Sequence, residues 1–521
     1  MSLTRRDLIK GAAAATAAGA ATVILPAAAS TTSESKSCAE SKRDKKKPNV
    51  ILVFPDNFRA QALGFMNEDP SITPRLNQFA KESVVFTQAV SNFPLCSPFR
   101  GMMLTGQYPY SNGVQGNTHV GVGDNFGGAD FGIFLKENAC CWSDVLKEQG
   151  YSQAFIGKWH LDAPEKPYIP SRNNPRGGRM WNAYTPEEKR HGFDFWYSYG
   201  AYDDHNKPMY WTNDTPRMEP FFVDQWSAEH EADIAIDYLR NTNGKYRDPN
   251  APFSMVIAMN PPHEPFDQVP DKYLNQYADK TSRELNNRPN VDWDKKYKDG
   301  MGPEAMKNYL GQITGVDDQF GRILDEVKAL GLEEDTLIVF CSDHGSCMGS
   351  NGYLTKNNHT EESMRIPMIF HWKGQLDHKF DDILFSAPDI FPTMFGLMGL
   401  EDEIPDTVEG FNYARTVQGK EGDNRPTSQL YLYTPYGGTA FGRRGVRTDK
   451  YTLVIDRKVG KPLDVILHDN INDPYQMVNI AKDNQDIVKQ LIDDELRYWL
   501  DKTGDTWQPS EVPEKLLKAY S

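Results

Sequence analysis

Four apolar segments of the chain each run directly into side chains that bind metal ions or transfer protons. The residues that follow them are, in chain order, Pro55-Asp56-Asn57, Gly157-Lys158-Trp159-His160, Asn260-Pro261-Pro262-His263 and Cys341-Ser342-Asp343-His344-Gly345. Carboxylate and amide oxygens bind hard divalent cations, whereas histidine and lysine move protons or hold anions. An isolated aspartate or asparagine more often fills a turn or caps a helix. The repetition of the pattern after four segments favours one shared site instead.

The stretch LCSPFRGMMLTG, residues 95–106, places a cysteine at the start of a predicted helix. Ser97 is a candidate helix cap, and Pro98 suits the first turn. The unpaired N–H groups and the dipole at this end of a helix favour an anion, and Arg100 follows one turn later. From these residues alone, Cys96 is a nucleophile of lowered pKa, the precursor of a modified group, or a buried structural cysteine.

The elements that must position these side chains are strands. Apolar runs at residues 50–54, 154–156, 253–259 and 336–340 alternate with helical patterns. This order predicts an α/β fold with a large, mostly parallel sheet flanked by helices, in a domain covering residues 48–424. Sites in such sheets form beyond the carboxyl ends of the strands, so the four segments are expected to meet at one rim.

The last part of the chain has a different pattern. Short strands at 430–433 and 451–455 precede an amphipathic helix at 487–500, which predicts a smaller α+β subdomain over residues 425–521. The segment 167–213 is rich in Pro, Gly, Asn and aromatic residues and is expected to form long surface loops beside the site. Within it, residues 202–205 with Trp211 are a candidate sugar subsite or a plain surface loop.

Taken together, the cysteine stretch and the strand ends resemble the formylglycine-dependent sulfatases of the alkaline phosphatase superfamily. The matching pieces are Asp56-Asn57, Cys96-Ser97-Pro98-Phe99-Arg100 with Leu104-Thr105-Gly106, Gly157-Lys158-Trp159-His160, Pro262-His263, Ser342-Asp343-His344-Gly345, Lys356, Glu361 to Pro367, Val446 to Lys450, and Asp473-Pro474. The resemblance implies an alkaline-phosphatase-like fold and oxidation of Cys96 to an aldehyde, formylglycine. One hydroxyl of the hydrated aldehyde attacks sulfur, and the second allows sulfate to be ejected, whereas a serine or cysteine would remain sulfated.

The resemblance also assigns roles to the candidate residues. The implied metal ligands are Asp56, Asn57, the modified Cys96, Asp343 and His344. Oxygen-rich ligation suits Ca²⁺, although the amide of Asn57 and the softer ligand His344 leave Mg²⁺ or Mn²⁺ open. Many relatives carry a second aspartate at the position of Asn57.

The remaining implied roles belong to cationic and proton-transferring side chains. Arg100 and Lys158 are expected to stabilise the hydrated aldehyde, and His160 is the expected base for its collapse. His263 and Lys356 are expected to hold the sulfate oxygens and protonate the leaving oxygen.

Composition limits the function classes. The chain has 521 residues, 39% of them hydrophobic and 25% charged, which is typical of a globular protein. A net charge of −15 argues against a nucleic-acid partner but leaves room for an anionic substrate in a locally basic cleft. The six cysteines show neither metal-ligand spacing nor a disulfide framework, with Cys341 and Cys347 as a candidate disulfide pair.

The first residues predict export. LTRRDLIK carries adjacent arginines before an Ala-rich stretch, residues 11–29, that resembles a twin-arginine signal peptide with a cleavage site at Ala27-Ala28-Ala29. Residues 1–29 are therefore predicted to be removed, and residues 30–47 to form a mobile tether, with no stable membrane anchor. The expected location is periplasmic or secreted. Because twin-arginine passengers fold before export, the implied partners are the Tat machinery and a formylglycine-generating enzyme in the cytoplasm.

The sequence thus predicts an exported sulfatase acting on a sulfated small molecule or carbohydrate, with a sulfated carbohydrate favoured by the aromatic-rich loops and by export. Two alternatives remain: a phosphodiesterase or phosphonate monoester hydrolase of the same superfamily, and an unmodified, non-catalytic binding protein. Everything depends on whether Cys96 lies beside Asp56 and Asp343.

Overall fold

A computed structural model describes residues 47–298, 300–438, 440–505 and 507. The predicted signal peptide and all of the predicted tether except Lys47 lie outside the described residues. Within the described ranges, none of the helices combines the length and the apolar character needed to cross a bilayer.

The centre of the molecule is a sheet of ten strands. Its strands are β1 Asn49–Val53, β2 Val84–Phe86, β4 Ser152–Lys158, β6 Phe195–Tyr199, β7 Met209–Thr212, β8 Phe221–Phe222, β9 Phe253–Ala258, β10 Thr336–Cys341, β11 Met368–His371 and β12 Lys379–Asp381; β3 Val120–Gly121 and β5 Arg179–Met180 form a separate pair. The order of the ten strands across the sheet is β12-β2-β11-β10-β1-β9-β4-β6-β7-β8. The neighbours β10, β1, β9, β4 and β6 are mutually parallel. The predicted α/β fold with a mostly parallel sheet is confirmed.

Helices cover both faces of this sheet. They are α1 Pro74–Ala80, α2 Cys96–Thr105, α3 Pro109–Asn112, α4 Trp142–Glu148, α5 Ser227–Arg240, α6 Asp271–Leu274, α7 Ser282–Leu285, α8 Met306–Ala329, α9 Glu361–Met364, α10 Ile390–Met398, α11 Ala414–Val417, α12 Gln485–Leu491 and α13 Arg497–Lys502. Successive residues of β1 enter opposite cores: Val50 and Leu52 pack with α2 and α10, and Ile51 and Val53 with α5 and α8. Burial on both faces explains why the strand is a continuous apolar run.

A second sheet follows near the end of the chain. It is antiparallel, with the order β13 Gln429–Tyr433, β14 Gly442–Arg447, β15 Tyr451–Arg457 and β16 Asp464–Asp469. The predicted helix at 487–500 is present as α12 and α13, joined by a π-helical turn over Ile492–Leu496. Leu432, Leu453 and Trp499 share a core with helices of the large sheet. A boundary at residue 425 therefore stays a prediction.

The prediction of surface loops over residues 167–213 is wrong in part. β6 and β7 lie in this segment and extend the large sheet, with β6 pairing in parallel with β4. Trp211 is 1% exposed, and its Nε1 donates to the carbonyl of Arg217, so it is a core residue and not a sugar platform. Aromatic residues, which favour strands, dominate both elements.

The buried carboxyl of Glu231 lies close to β4, the strand that ends in Lys158. Gly157, at φ 99°, lies so close to β9 that an added Cβ would come within 2.3 Å of the Ala258 carbonyl oxygen and 3.3 Å of Glu231 Oε1. Glu231, on α5, is fully buried and accepts a hydrogen bond from the Tyr210 hydroxyl at 3.1 Å. Burial raises the pKa of Glu231 to about 8.

This shift predicts an alkaline loss of stability. Because Glu231 holds its proton more tightly in the folded chain, its contribution is complete below its ordinary pKa of 4.5 and falls as pH rises to about 8. Glu231→Gln should make the fall in melting temperature between pH 5 and pH 8 shallower, whereas Asp237→Asn, an exposed change on the same helix, should leave it unaltered. An identical slope in Glu231→Gln and the parent protein would contradict the assignment.

Candidate active site

The four predicted segments meet at one edge of the large sheet. Strands β10, β1, β9 and β4 are adjacent and parallel, so their carboxyl ends share a rim. The residues that follow them are joined directly: the Asn57 amide donates to Asp343 Oδ1 at 3.0 Å, and Lys158 Nζ donates to Asp56 Oδ2 at 2.7 Å. The predicted convergence of distant segments is confirmed.

Cys96 lies inside this cluster. Its Sγ is 3.7 Å from Asp56 Oδ1, 3.4 Å from His344 Nε2 and 3.4 Å from Lys356 Nζ, and the side chain is buried. Cys96 is the first residue of α2, as expected, but the predicted cap is wrong. Leu95 occupies the N-cap position, while the Ser97 hydroxyl donates to the His160 carbonyl at 2.7 Å and so ties the helix to the segment after β4.

Burial disfavours ionisation of the Cys96 thiol. Its pKa is raised to about 12, first by desolvation and then by the charge of Asp56, which together outweigh Lys158 and Lys356. A nucleophilic cysteine needs the opposite shift, because the thiolate is the reactive form. The side chains around Cys96 therefore do not by themselves produce the lowered pKa expected of a nucleophilic cysteine. The other cysteines in the described part, including Cys341 and Cys347, are also free thiols, so no disulfide joins that pair.

The cluster offers a donor set for a cation. Ligand atoms of Asp56, Cys96, Asp343 and His344 all lie within 4.8 Å of one another, and the four side chains are buried. Asn57 adjoins them, and neither its Oδ1 nor its Nδ2 has a hydrogen-bond partner among the described residues, although the side chain is fully buried. An unpaired buried amide is costly unless a ligand satisfies it. These residues therefore fit a divalent metal ion.

The two carboxylates have opposite electrostatic environments. Burial opposes ionisation of Asp56, but the positive charges of Lys158 and Lys356 outweigh it and hold its pKa well below the ordinary value. Burial and the negative charge of Asp56 raise the pKa of Asp343. Two buried carboxylates in contact with shared partners are stable as anions only when cations surround them.

Arg100 and Lys158 supply part of that positive charge. Arg100 Nη2 is 3.1 Å from Asp56 Oδ2 and 3.4 Å from Asp343 Oδ2, and another guanidinium N–H donates to the Lys158 carbonyl. Lys158 Nζ also donates to Asn260 Oδ1 at 3.1 Å and lies 4.0 Å from Cys96 Sγ. Both cations are thus held at fixed positions beside residue 96.

The histidines lie around the same cluster. His160, at φ 53°, is buried, and neither ring nitrogen has a partner within the described ranges. Burial and the charge of Lys158 depress its pKa well below the ordinary value, so the ring is neutral. His263 Nδ1 lies 2.6 Å from the Glu264 carbonyl and 3.5 Å from Asp203 Oδ1, and burial lowers its pKa as well. The neutral ring of His160 is ready to accept a proton.

Two residues with structural roles in the site had no such role in the sequence analysis. Asn260 fixes the ammonium of Lys158 and donates to the Tyr202 carbonyl at 3.0 Å. Asp203 faces His263 and was considered only as part of a sugar subsite. The position of Asn260 near the end of a predicted strand was a usable signal, because the other site residues follow their strands in the same way. Asp203 lacked this strand-end signal, because β6 was not predicted.

The similarity of the chain to known proteins agrees with this geometry. The family model described as Sulfatase matches residues 48–400, and the one described as N-sulphoglucosamine sulphohydrolase, C-terminal, matches residues 349–502. An endo-4-O-sulfatase of Bacteroides thetaiotaomicron is 39% identical, covering 89% of this chain and 94% of the relative. An ulvan-active sulfatase of Formosa agariphila is 30% identical, covering 92% and 86%.

A solved structure extends the likeness to three dimensions. The crystal structure of a Bacteroides fragilis protein assigned as a sulfatase superposes with a TM-score of 0.82 at 40% identity, covering 88% of this chain and 97% of that one. Sequence and fold thus agree with known sulfatases over nearly the whole described chain. The protein therefore belongs to the sulfatase family, with its alkaline-phosphatase-like fold, and is a sulfuric ester hydrolase.

Proposed function

We propose that this sulfatase removes sulfate from a sulfated carbohydrate by means of a formylglycine made from Cys96 and a bound Ca²⁺ ion. The observation that carries the proposal is the position of Cys96, which lies buried at the start of α2 among Asp56, His344, Lys158 and Lys356. Burial raises the pKa of this thiol and so disfavours the thiolate that a cysteine nucleophile needs, a requirement that a hydroxyl-bearing product of Cys96 does not have. The hydrated aldehyde would supply an attacking hydroxyl and a second hydroxyl whose deprotonation releases sulfate.

The metal ligands would be Asp56, Asn57, Asp343, His344 and the modified residue 96. A divalent cation there would offset the two carboxylates and increase the acidity of the attacking hydroxyl. The donors are mainly oxygens, which favours Ca²⁺, with Mg²⁺ or Mn²⁺ as the alternatives.

The other side chains have separate tasks. Arg100 and Lys158 hold residue 96 in place, and Lys158 is itself fixed by Asn260. His160, neutral and next to α2, is the proposed base that takes a proton from residue 96. Lys356 and His263 are more exposed than Arg100, Lys158 and the metal ligands, with side-chain exposures of 11% and 9%, and we assign them to the sulfate and the leaving oxygen.

Mass spectrometry tests the modification. Protein made with an active formylglycine-generating enzyme should yield a Cys96 peptide that lacks a free thiol and reacts with carbonyl reagents. An intact thiol in fully active protein would refute the scheme, and an intact thiol in inactive native protein would favour a non-catalytic binding protein.

Sulfur selectivity is the second test. Matched aryl sulfate, phosphate monoester and phosphodiester substrates should give the highest kcat/KM for the sulfate, by at least about 100-fold if the site is built around a sulfate ester. The lysines and His263 could also hold a phosphoryl group, so the measurement is decisive. A higher kcat/KM for a phosphorus ester would assign the protein to the phosphodiesterase or phosphonate monoester hydrolase alternative.

The choice of a carbohydrate substrate is supported by the two relatives, whose names specify endo-4-O-sulfatase and ulvan-active sulfatase activities. We further infer export by the Tat pathway from the motif LTRRDLIK, with modification of Cys96 before export. Fractionation of a producing bacterium should find the protein outside the cytoplasm. Replacing Arg5 and Arg6 with lysine should retain it inside, and unaltered export of that variant would exclude the pathway.

A further inference from the structure

The exposed fractions of the side chains around Cys96 show where the site opens. The side chains of Cys96 and Lys158 are almost fully buried, whereas His263 and Lys356 are 9% and 11% exposed. Next to His263, Asp203 is 11% exposed, and its Oδ2 accepts from Arg176 Nη1 at 2.5 Å. The opening therefore lies on the side of His263, and Asp203 forms part of its edge.

Two arginines lie beyond this edge. The Arg176 side chain is 40% exposed and paired with Asp203, and the Arg172 side chain is 58% exposed and paired with Asp204 at 2.8 Å. Asn173 Nδ2 also donates to Asp203 Oδ2 at 3.1 Å, which fixes the carboxylate that orients Arg176. A guanidinium has five N–H donors, so one held by a single carboxylate still has donors for a ligand.

The same segment also places an aromatic ring near His160. The indole Nε1 of Trp181 donates to the Arg176 carbonyl at 3.0 Å, and its ring centroid is 6.3 Å from that of His160. Trp181 is partly exposed and stacks on His119 with centroids 4.1 Å apart. Residues 172–181 thus place an aromatic ring near the proposed base and a guanidinium near His263.

We propose that Arg176, with Arg172 behind it, binds a second anionic group of the substrate, a carboxylate or a further sulfate on the sugar next to the one being desulfated. The inference rests on the proposed function and specifies its substrate class as a polyanionic saccharide. A guanidinium suits carboxylate and sulfate because two of its N–H groups match two oxygens. The ion pair with Asp203 orients Arg176 and sets its distance from His263.

Binding measurements test this independently of turnover. In the Cys96→Ala background, a chondroitin 4-sulfate tetrasaccharide should bind about tenfold more weakly after Arg176→Ala, the loss expected for one partly exposed charged hydrogen bond. Arg240→Ala is the matched control: Arg240 is 53% exposed, paired with Glu326, and ends α5 just before β9 begins, at the opposite edge of the sheet. It should leave the dissociation constant unchanged.

Kinetics with a small substrate distinguish the loss of a substrate contact at Arg176 from general disruption of the active site. Arg176→Ala in active enzyme should keep kcat and KM for 4-nitrophenyl sulfate within about twofold, because that substrate has no second anion. With a carboxyl-reduced tetrasaccharide, loss of the Arg176 effect would identify a carboxylate as the partner, and persistence would identify a sulfate. Three results would each overturn the inference. The Cys96→Ala protein would fail to bind the tetrasaccharide, the dissociation constant would be the same with and without Arg176, or Arg176→Ala would reduce kcat/KM for 4-nitrophenyl sulfate as much as it weakens tetrasaccharide binding. Tetrasaccharide binding that depends on Arg176, without sulfate release by active enzyme, would instead refute the proposed function.

Discussion

Replacing Cys96 with alanine should reduce kcat by roughly four orders of magnitude or more while leaving the fold intact. In the proposed scheme no other side chain in the site can replace the group formed at residue 96, and removal of a covalent nucleophile typically costs this much. The fold should persist because the change deletes one sulfur from a site whose carboxylates and cations still pair with one another. Initial rates on an aryl sulfate and the far-ultraviolet circular dichroism spectrum measure the two effects.

Two further variants make the result specific to residue 96. Cys141→Ala removes a thiol that is equally buried but occupies the N-cap position of α4, and it should retain activity within about twofold. Cys96→Ser should also lose turnover, since a serine has no second hydroxyl to eject sulfate, and its peptide should gain the mass of one sulfo group if attack takes place once. Turnover by Cys96→Ala above the background of metal-containing buffer would rule out the covalent scheme.

The central strands were predictable because burial on both faces makes each of them a continuous apolar run. β1, β9 and β10 are covered by helices on both faces, so nearly every position is apolar and the polar residue that follows marks the rim. β6 and β7 were missed because their short aromatic runs lie between Gly, Pro and Asn residues that indicate loops. Propensity alone did not distinguish a buried edge extension from a surface segment.

The site illustrates a similar limit. The convergence of Asp56, Lys158, His263 and Asp343 followed from parallel strands, which place successive carboxyl ends side by side. The role of Ser97 did not, because its hydroxyl bonds to a carbonyl 63 residues away and not to its own helix. Local sequence favours the cap, and only the packing of α2 against the end of β4 overrides it. Pairings of this kind, including Asp203 with Arg176, require the tertiary structure.

The second large effect concerns the metal. Asp343→Asn should lower the affinity for Ca²⁺ by at least about 100-fold, because it removes one of two carboxylate charges from the donor set. The amide oxygen can still accept from the Asn57 N–H, now 3.0 Å from Asp343 Oδ1, so the local backbone should be preserved. Elemental analysis after dialysis should find stoichiometric calcium in the parent protein and little in the variant, with activity reduced in proportion.

Melting temperatures distinguish a specific loss of the metal site in Asp343→Asn from general destabilisation of the fold. Added Ca²⁺ should raise the melting temperature of the metal-free parent protein, since a ligand that binds only the folded state stabilises it, but should hardly affect Asp343→Asn. Without metal the order reverses: the variant should match or exceed the parent, because it relieves the repulsion between Asp343 and Asp56 that burial intensifies. Asp162→Asn is the control, a buried carboxyl bonded to the Thr185 hydroxyl at 2.6 Å, and should keep the calcium response. Equal calcium content and an equal calcium-induced rise in melting temperature in Asp343→Asn and the parent would remove Asp343 from the metal site.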